Sequence, residues 1–211
     1  MTQHSLQQSN DLSRRTRRIH RRKLDILKVA ARLFAERGYD RTTLDMIADE
    51  LGLSKPSLYY YVKSKEEILA DIFQEIFQSI LESAQRDISP NLSPEVQLHR
   101  LIIAYVTHAC VYPEGRILFL YESYLLSVCN PELLALRDHY QRQVEDAISQ
   151  GIQRGIFRVS DARLAMLALV GALHAIPLWY LPDGPLSPLQ IGDYYARLLI
   201  GGLVTPLGLS A

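Results

Sequence analysis

Apolar residues recur along nearly the whole chain at helical spacing, and no stretch alternates as a half-buried strand would. From about His20, the residues Ile26, Ala30, Leu33 and Phe34 fall on one face of a first helix. Arg37 and Gly38 supply a basic last turn and a residue suited to the left-handed stop. Thr42 and Thr43 are N-cap candidates for a second helix with Leu44, Ile47, Ala48 and Leu51 inward, stopped by Gly52. Ser54 can cap a third helix of about two turns, with Pro56 where its missing N–H matters little. A long amphipathic helix is expected over about Lys65–Arg86, followed by a Pro- and Ser-rich linker. Further helices are expected from Ser93-Pro94 to about Cys110, from about Glu114 to Val128, and from Asn130-Pro131 to about Gly155. The last two span about Asp161–Tyr180 and about Leu189–Val204. The expected fold is therefore all-α, with about nine helices. Pro177 should bend or end the helix it sits in, because it removes the N–H that would reach the Leu173 carbonyl.

The net charge of the chain is zero, but it is unevenly spread. Residues 1–65 carry 14 Lys/Arg against 7 Asp/Glu, and residues 66–211 carry 9 against 16. A basic N-terminal module suits a polyanion, and the acidic remainder would be repelled by one. Residues 1–19 are polar and include the cluster Arg14-Arg15-Thr16-Arg17-Arg18, so they are expected to form a disordered basic arm that either lies along DNA or stays solvated. The expected domains are this arm (1–19), a DNA-binding domain (20–65) and a larger domain for ligand binding and dimerisation (66–211). No run is expected to approach the ~20 apolar residues of a membrane span, and no apolar signal core follows the N-terminus, which points to the cytoplasm and away from a membrane partner. Cys110 and Cys129 lack metal-ligand spacing and are expected to be small buried hydrophobes, with no metal and no cofactor.

Two short helices joined by a tight turn at Gly52 form a helix-turn-helix pattern. Leu51, Leu53, Leu58 and Val62 are spaced to lock the third helix across the second, which leaves Lys55, Ser57 and Tyr60 facing outward. Tyr59 and Tyr61 flank that face with hydroxyls that can meet phosphates, as can Lys65. A helical hairpin with surface tyrosines could show the same spacing. The basic charge of this module, the turn and the polar outward face together favour DNA.

The runs AARLFAERGY (Ala30–Tyr39), TTLDMIA (Thr42–Ala48) and LGLSKPSLYYYVKSK (Leu51–Lys65) resemble the TetR family of bacterial repressors over about 45 residues. The resemblance implies phosphate contacts from Thr42, Thr43, Tyr59, Tyr61 and Lys65. It implies that Lys55, Pro56, Ser57 and Tyr60 face bases, and Ser54, the cap before them, is expected among the DNA-binding residues as well. Leu44 stands where some members carry a base-reading Arg, and Tyr61 replaces the commoner His.

In the remainder, small and apolar residues on the Asp161–Tyr180 helix (Leu164, Leu167, Ala168, Gly171, Ala172, Ala175) and on the last helix (Leu198, Leu199, Gly201, Gly202, Leu203) allow close helix approach, either in an ordinary core or across a homodimer seam. Tyr105, His108, Phe119, Tyr121, Tyr124, His174 and Trp179 are candidates to line an apolar ligand chamber, each with a plain core role as the alternative. The segments LHAIPLWYLPDGPLSP (Leu173–Pro188) and YARLLIGGL (Tyr195–Leu203) are similar to TetR members that sense fatty-acyl or steroid-derived CoA thioesters, although His174 departs from the residue usual there. The expectation is a ligand-responsive repressor, dimeric on a palindromic double-stranded operator and released by a small hydrophobic effector. The effector is expected to be a long-chain acyl-CoA, with another apolar or aromatic molecule as the alternative. A ligand-independent regulator or an activator stays open as a second reading. An enzyme with a helical chamber is a third, but it lacks a phosphate loop, a nucleophile elbow or a metal motif.

Overall fold

A computed structural model describes residues 3–86, 92–111 and 131–204, for 3–15 and 111 the backbone alone. Among the described residues there are nine helices and no strand. These are α1 (Gln3–Arg37), α2 (Leu44–Glu50), α3 (Lys55–Tyr59), α4 (Lys65–Gln85), α5 (Pro94–Val111), α6 (Pro131–Gln153), α7 (Ala162–His174), α8 (Ile176–Trp179) and α9 (Pro188–Val204). The helix expected near Glu114–Val128, and Cys129 beyond it, lie outside the described residues. The chain forms two compact units, Met1–Ile72 and Phe73–Ala211, and α4 passes from the first into the second.

The start of α1 differs from the expectation. The backbone is helical from Gln3, where a disordered arm was expected over 1–19. No Gly or Pro interrupts Gln3–Arg37, and the polar residues there include strong helix formers, so nothing local stops the helix of His20–Arg37 from continuing upstream. At its other end Gly38 adopts φ +85 and donates its N–H to the Phe34 carbonyl, the stop its sequence position suggested. Within the first unit Ile26, Leu33, Phe34, Ile47, Leu58 and Val62 are buried against one another's helices, joined by Ile68, Leu69 and Ile72 of α4.

In the second unit α5 is the central element and packs along α9 and against α6, α7 and α8. Gly192 lets α9 come close, since a Cβ there would lie 3.1 Å from Ile103 Cδ1. His99 Nε2 and Asp193 Oδ1, 3.1 Å apart, join the same two helices, and Asp193 also accepts from Arg197 Nε at 2.9 Å. The bond with His99, and then the charge of Arg197, hold the Asp193 carboxyl below the usual carboxylate range. Cys110 is buried among apolar groups, and that burial pushes its thiol up to about 12.

The Asp161–Tyr180 helix does break at its proline. It ends at His174, the Leu173 carbonyl accepts from the Ala175 N–H, and the short α8 resumes with Pro177 in its first turn. By length and composition alone Ala162–Trp179 is apolar enough to cross a membrane, with a mean hydropathy of 1.6, contrary to the expectation that no such run exists. A third of that stretch (33%) is buried inside the unit, and its helix is interrupted at Ala175.

α6 ends in a Schellman motif. The Ile156 N–H reaches the Gly151 carbonyl at 2.9 Å and the Gly155 N–H reaches Ile152 at 2.9 Å, with Gly155 at φ +70. The turn folds the buried ring of Phe157 onto the Cα of Gly151, so that any Cβ there would land inside the ring. Gly151→Ala should therefore lower stability by about 1–3 kcal/mol through overpacking, read as a fall in the urea midpoint. An unchanged midpoint would show that Phe157 can leave its seat without cost.

Candidate nucleic-acid interface

α2 is capped by Thr43, whose Oγ1 accepts from the Met46 N–H at 3.2 Å. It closes with a second Schellman turn, in which the Leu53 N–H reaches the Ala48 carbonyl at 2.8 Å and Gly52, at φ +61, donates to Asp49 at 3.1 Å. Ser54 then caps α3, its Oγ accepting from the Ser57 N–H and lying 2.8 Å from the Ser57 hydroxyl. Leu58 and Val62 are buried at 1% exposure each, and the backbone turn plus these two anchors set the direction of α3. The helix is shorter than expected, five residues rather than about two turns.

Of the residues expected to meet DNA, Thr43, Ser54, Lys55, Pro56, Ser57, Tyr59 and Tyr60 are exposed together on this surface. Tyr60 is 64% and Tyr59 51% exposed, while Tyr61 is half-buried with its ring edge-on to Tyr60. Lys55 is not a free cation, because its ammonium lies 2.6 Å from the Asp45 carboxylate of α2.

Two expected contacts are otherwise engaged. Thr42 is fully buried, and its hydroxyl is shared between the Leu33 carbonyl at 3.2 Å and the Gly38 carbonyl at 2.9 Å. It cannot touch a phosphate. It ties the loop after α1 back to the helix end, and the Thr-Thr pair divides into one internal lock and one exposed cap. Lys65 donates to the Tyr39 carbonyl at 2.9 Å and lies over the Tyr39 ring, 4.5 Å from its centre. It ties the first turn of α4 to the loop after α1. Ser64 caps that turn by accepting from the Glu67 N–H, and Glu67 reaches back to the Lys63 N–H at 2.6 Å.

The candidate ligand residues divide into separate places. Tyr105 is buried with its ring 5.4 Å from Tyr140 and 5.6 Å from His174, and the Tyr140 hydroxyl donates to the Leu101 carbonyl. His108 is half-buried, and its pKa is lowered first by that burial and then by the charge of Arg86. Trp179 is 46% exposed and stacks on Tyr195 instead. Phe119, Tyr121 and Tyr124 lie outside the described residues. A cleft of about 650 Å³ opens between the end of α4, α5 and α9, with Ile103, Ala104 and Leu189 as its apolar wall and Arg86, Arg100 and the His99–Asp193 pair as its polar one.

Residues 26–72 match the model of bacterial regulatory proteins of the tetR family, and residues 91–203 match the model of the tetracyclin repressor-like C-terminal domain. The chain belongs to the TetR family. This TetR-family protein is similar to the regulator PfmR of Thermus thermophilus, at 31% identity over 84% of this chain and 98% of that one, with a TM-score of 0.70. It is also similar to the ketosteroid regulator KstR2 of Mycobacterium tuberculosis (26% identity, 88% and 96% covered, TM-score 0.76). A third relative is AibR, whose structure holds isovaleryl coenzyme A and operator DNA (25% identity, 88% and 100% covered, TM-score 0.70). As a family member the chain is a DNA-binding transcriptional regulator, and its relative KstR2 is named a transcriptional repressor, not an enzyme. The function expected from sequence, a ligand-responsive DNA-binding repressor, is the one this family carries.

For this TetR-family chain, sequence reasoning missed Asp45, Arg86 and the His99–Asp193 pair, all defined by contacts between helices and not by spacing within one. Asp45 alone left a trace, as an acid next to the cap of a helix in an otherwise basic module. The new role of Thr42 is open to direct measurement. Thr42→Val should cost about 1–3 kcal/mol by removing the buried hydroxyl donor shared by the Gly38 and Leu33 carbonyls, with Thr42→Ser recovering most of it in urea denaturation. A Thr42→Val protein of full stability but weakened DNA binding would restore the phosphate role.

Proposed function

We propose that two copies of this chain pair through α7 and α9, place their α3 helices in successive major grooves of a palindromic operator, and let go when each binds a small hydrophobic effector, a long-chain CoA thioester. The observation that carries the dimer is a bare apolar face. Leu164 (65% exposed), Leu167 and Gly171 of α7, with Tyr194, Leu198 (59%) and Gly201 of α9, stand uncovered on the second unit. A Cβ at Gly171, Gly201 or Gly202 would meet nothing within 4 Å, so another helix can approach closely. Uncovered apolar surface at helical spacing is the mark of an interface, and a self-complementary patch closes into a two-fold pair. Such a pair presents two recognition helices about 34 Å apart, one turn of DNA.

On the DNA side, Lys55, Ser57 and Tyr60 face base edges, and Thr43, Tyr59 and Tyr61 face phosphates. Ser54 and Pro56 hold the start of α3 in place. Lys65 acts behind this surface by fixing Tyr39. Arg17, Arg18 and Arg21, exposed on α1, extend the basic surface. The protein works in the cytoplasm, where its operator is. Release follows population shift: effector prefers a conformer with the two reading helices wrongly spaced, and α4, common to both units, couples the sites.

Two observations support the effector class: the CoA thioester held by the relative AibR, and the cleft itself. Its apolar wall suits an acyl chain, and the guanidinium groups of Arg86 and Arg100 suit phosphates.

Leu164→Glu with Leu198→Glu should give a monomer by sedimentation that binds its operator roughly 10²–10⁴-fold more weakly, because two half-sites no longer act together. A dimer of undiminished affinity would place the interface elsewhere. Fluorescence anisotropy on DNA from upstream of the protein's own coding region tests the effector, with palmitoyl-CoA and free palmitate added in turn. Release by the thioester alone, at higher concentration for Arg86→Gln/Arg100→Gln, is expected. Tight binding unaffected by either compound would remove the acyl-CoA reading and favour a ligand-independent regulator.

A further inference from the structure

An acid on a surface that approaches a polyanion is costly, yet Asp45 stands on the outward side of α2 directly beside the first residue of α3. Its Oδ2 is 2.6 Å from Lys55 Nζ, with the two side chains 50% and 63% exposed. The carboxylate hydrogen bond raises the Lys55 pKa above its ordinary value, so the lysine keeps its proton at all neutral pH values. The pair is not what holds the turn together: the Leu53–Ala48 and Gly52–Asp49 backbone bonds, the Ser54 cap and buried Leu58 already do that. What the ion pair adds is a donor and an acceptor side by side, 2.6 Å apart.

Resting on the reading of α3 as the groove helix, we propose that Asp45 and Lys55 together read one G·C base pair in each operator half-site, Lys55 donating to guanine and Asp45 accepting from cytosine. In the major groove guanine offers O6 and N7 as acceptors and cytosine offers the free N4–H. O6 and N4 are already hydrogen-bonded to each other at roughly 2.9 Å. The 2.6 Å between Nζ and Oδ2 is nearly the same separation. Lys55 Nζ over O6 and Asp45 Oδ2 over N4 therefore close a four-cornered ring in which every side is a hydrogen bond and donor always meets acceptor.

Other base pairs lose part of this match. With the pair reversed, the lysine would face the cytosine donor and the carboxylate would face guanine oxygens. A thymine under Lys55 supplies O4 but replaces N7 with a methyl group, and the adenine then under Asp45 turns its N7 acceptor toward a carboxylate. Asp45 also repels phosphate, so it weakens binding to every sequence that places no amino N–H beneath it, and the adenine N7 and thymine methyl group then separate T·A from G·C.

The test is selection of bound duplexes from a random library by the full-length protein and by Asp45→Ala, Asp45→Asn, Lys55→Ala and Tyr60→Ala, followed by anisotropy on the selected duplexes. The wild type should select a fixed G·C pair at one position of each half-site, and changing that pair to A·T should cost it roughly tenfold or more. For Asp45→Ala that change should cost less than about threefold, and its affinity for unrelated duplex should rise. Asp45→Asn should move the preference to a T·A pair, since an amide can bond both adenine N6 and N7. Wild type and Asp45→Ala selecting the same bases at every position would overturn the proposal. In that event Tyr60→Ala distinguishes the causes. A changed site for Tyr60→Ala leaves α3 in the groove and removes only the Asp45–Lys55 couple, whereas no change for any variant removes the groove assignment as well.

Discussion

The direction of α3 starts from the backbone turn after α2, in which the Leu53 N–H reaches the Ala48 carbonyl and the Gly52 N–H reaches Asp49. These bonds close the turn at Gly52, whose positive φ a β-carbon would strain. With the turn closed, α3 is held by Ser54 at its start and by Leu58 and Val62 underneath. A helix that short has little stability of its own. Its geometry is borrowed from α2 through the turn and from the buried floor of the unit.

The two units put the same residue types to different uses. In the first, the large aliphatic residues described are buried or half-buried, and the exposed large apolar side chains are Tyr59 and Tyr60. In the second, α7 and α9 leave leucines and glycines bare while α5 is buried as the centre of the unit. The charge asymmetry follows this division, keeping the acidic part of the chain distinct from the part that must meet phosphate.

Much of this was legible in the sequence because it is local. Gly38 and Gly52 as stops, Ser54 as a cap and the break before Pro177 each follow from a few neighbouring residues, and each is found where expected. The family was legible for the same reason, its motifs lying in one continuous stretch that the family model matches. What sequence did not disclose depends on contacts across the fold. Thr42 and Thr43 are equivalent as cap candidates until the end of α1 is in place to accept the Thr42 hydroxyl. Lys65 reads as a surface cation until Tyr39 arrives from 26 positions away. Aromatic and histidine residues carry no mark that separates core from chamber, and so Tyr105 proved to be packed with Tyr140 and His174 while Trp179 lies apart on Tyr195.

The contact between Lys65 and Tyr39 has a mechanical consequence. An ammonium group bonded to a carbonyl and seated on the same residue's ring resists both sliding and twisting, because either movement breaks one of the two attractions. The first turn of α4 and the loop after α1 are thus clamped, so that within the first unit the end of α1 and the start of α4 keep one relative setting and not a range of them.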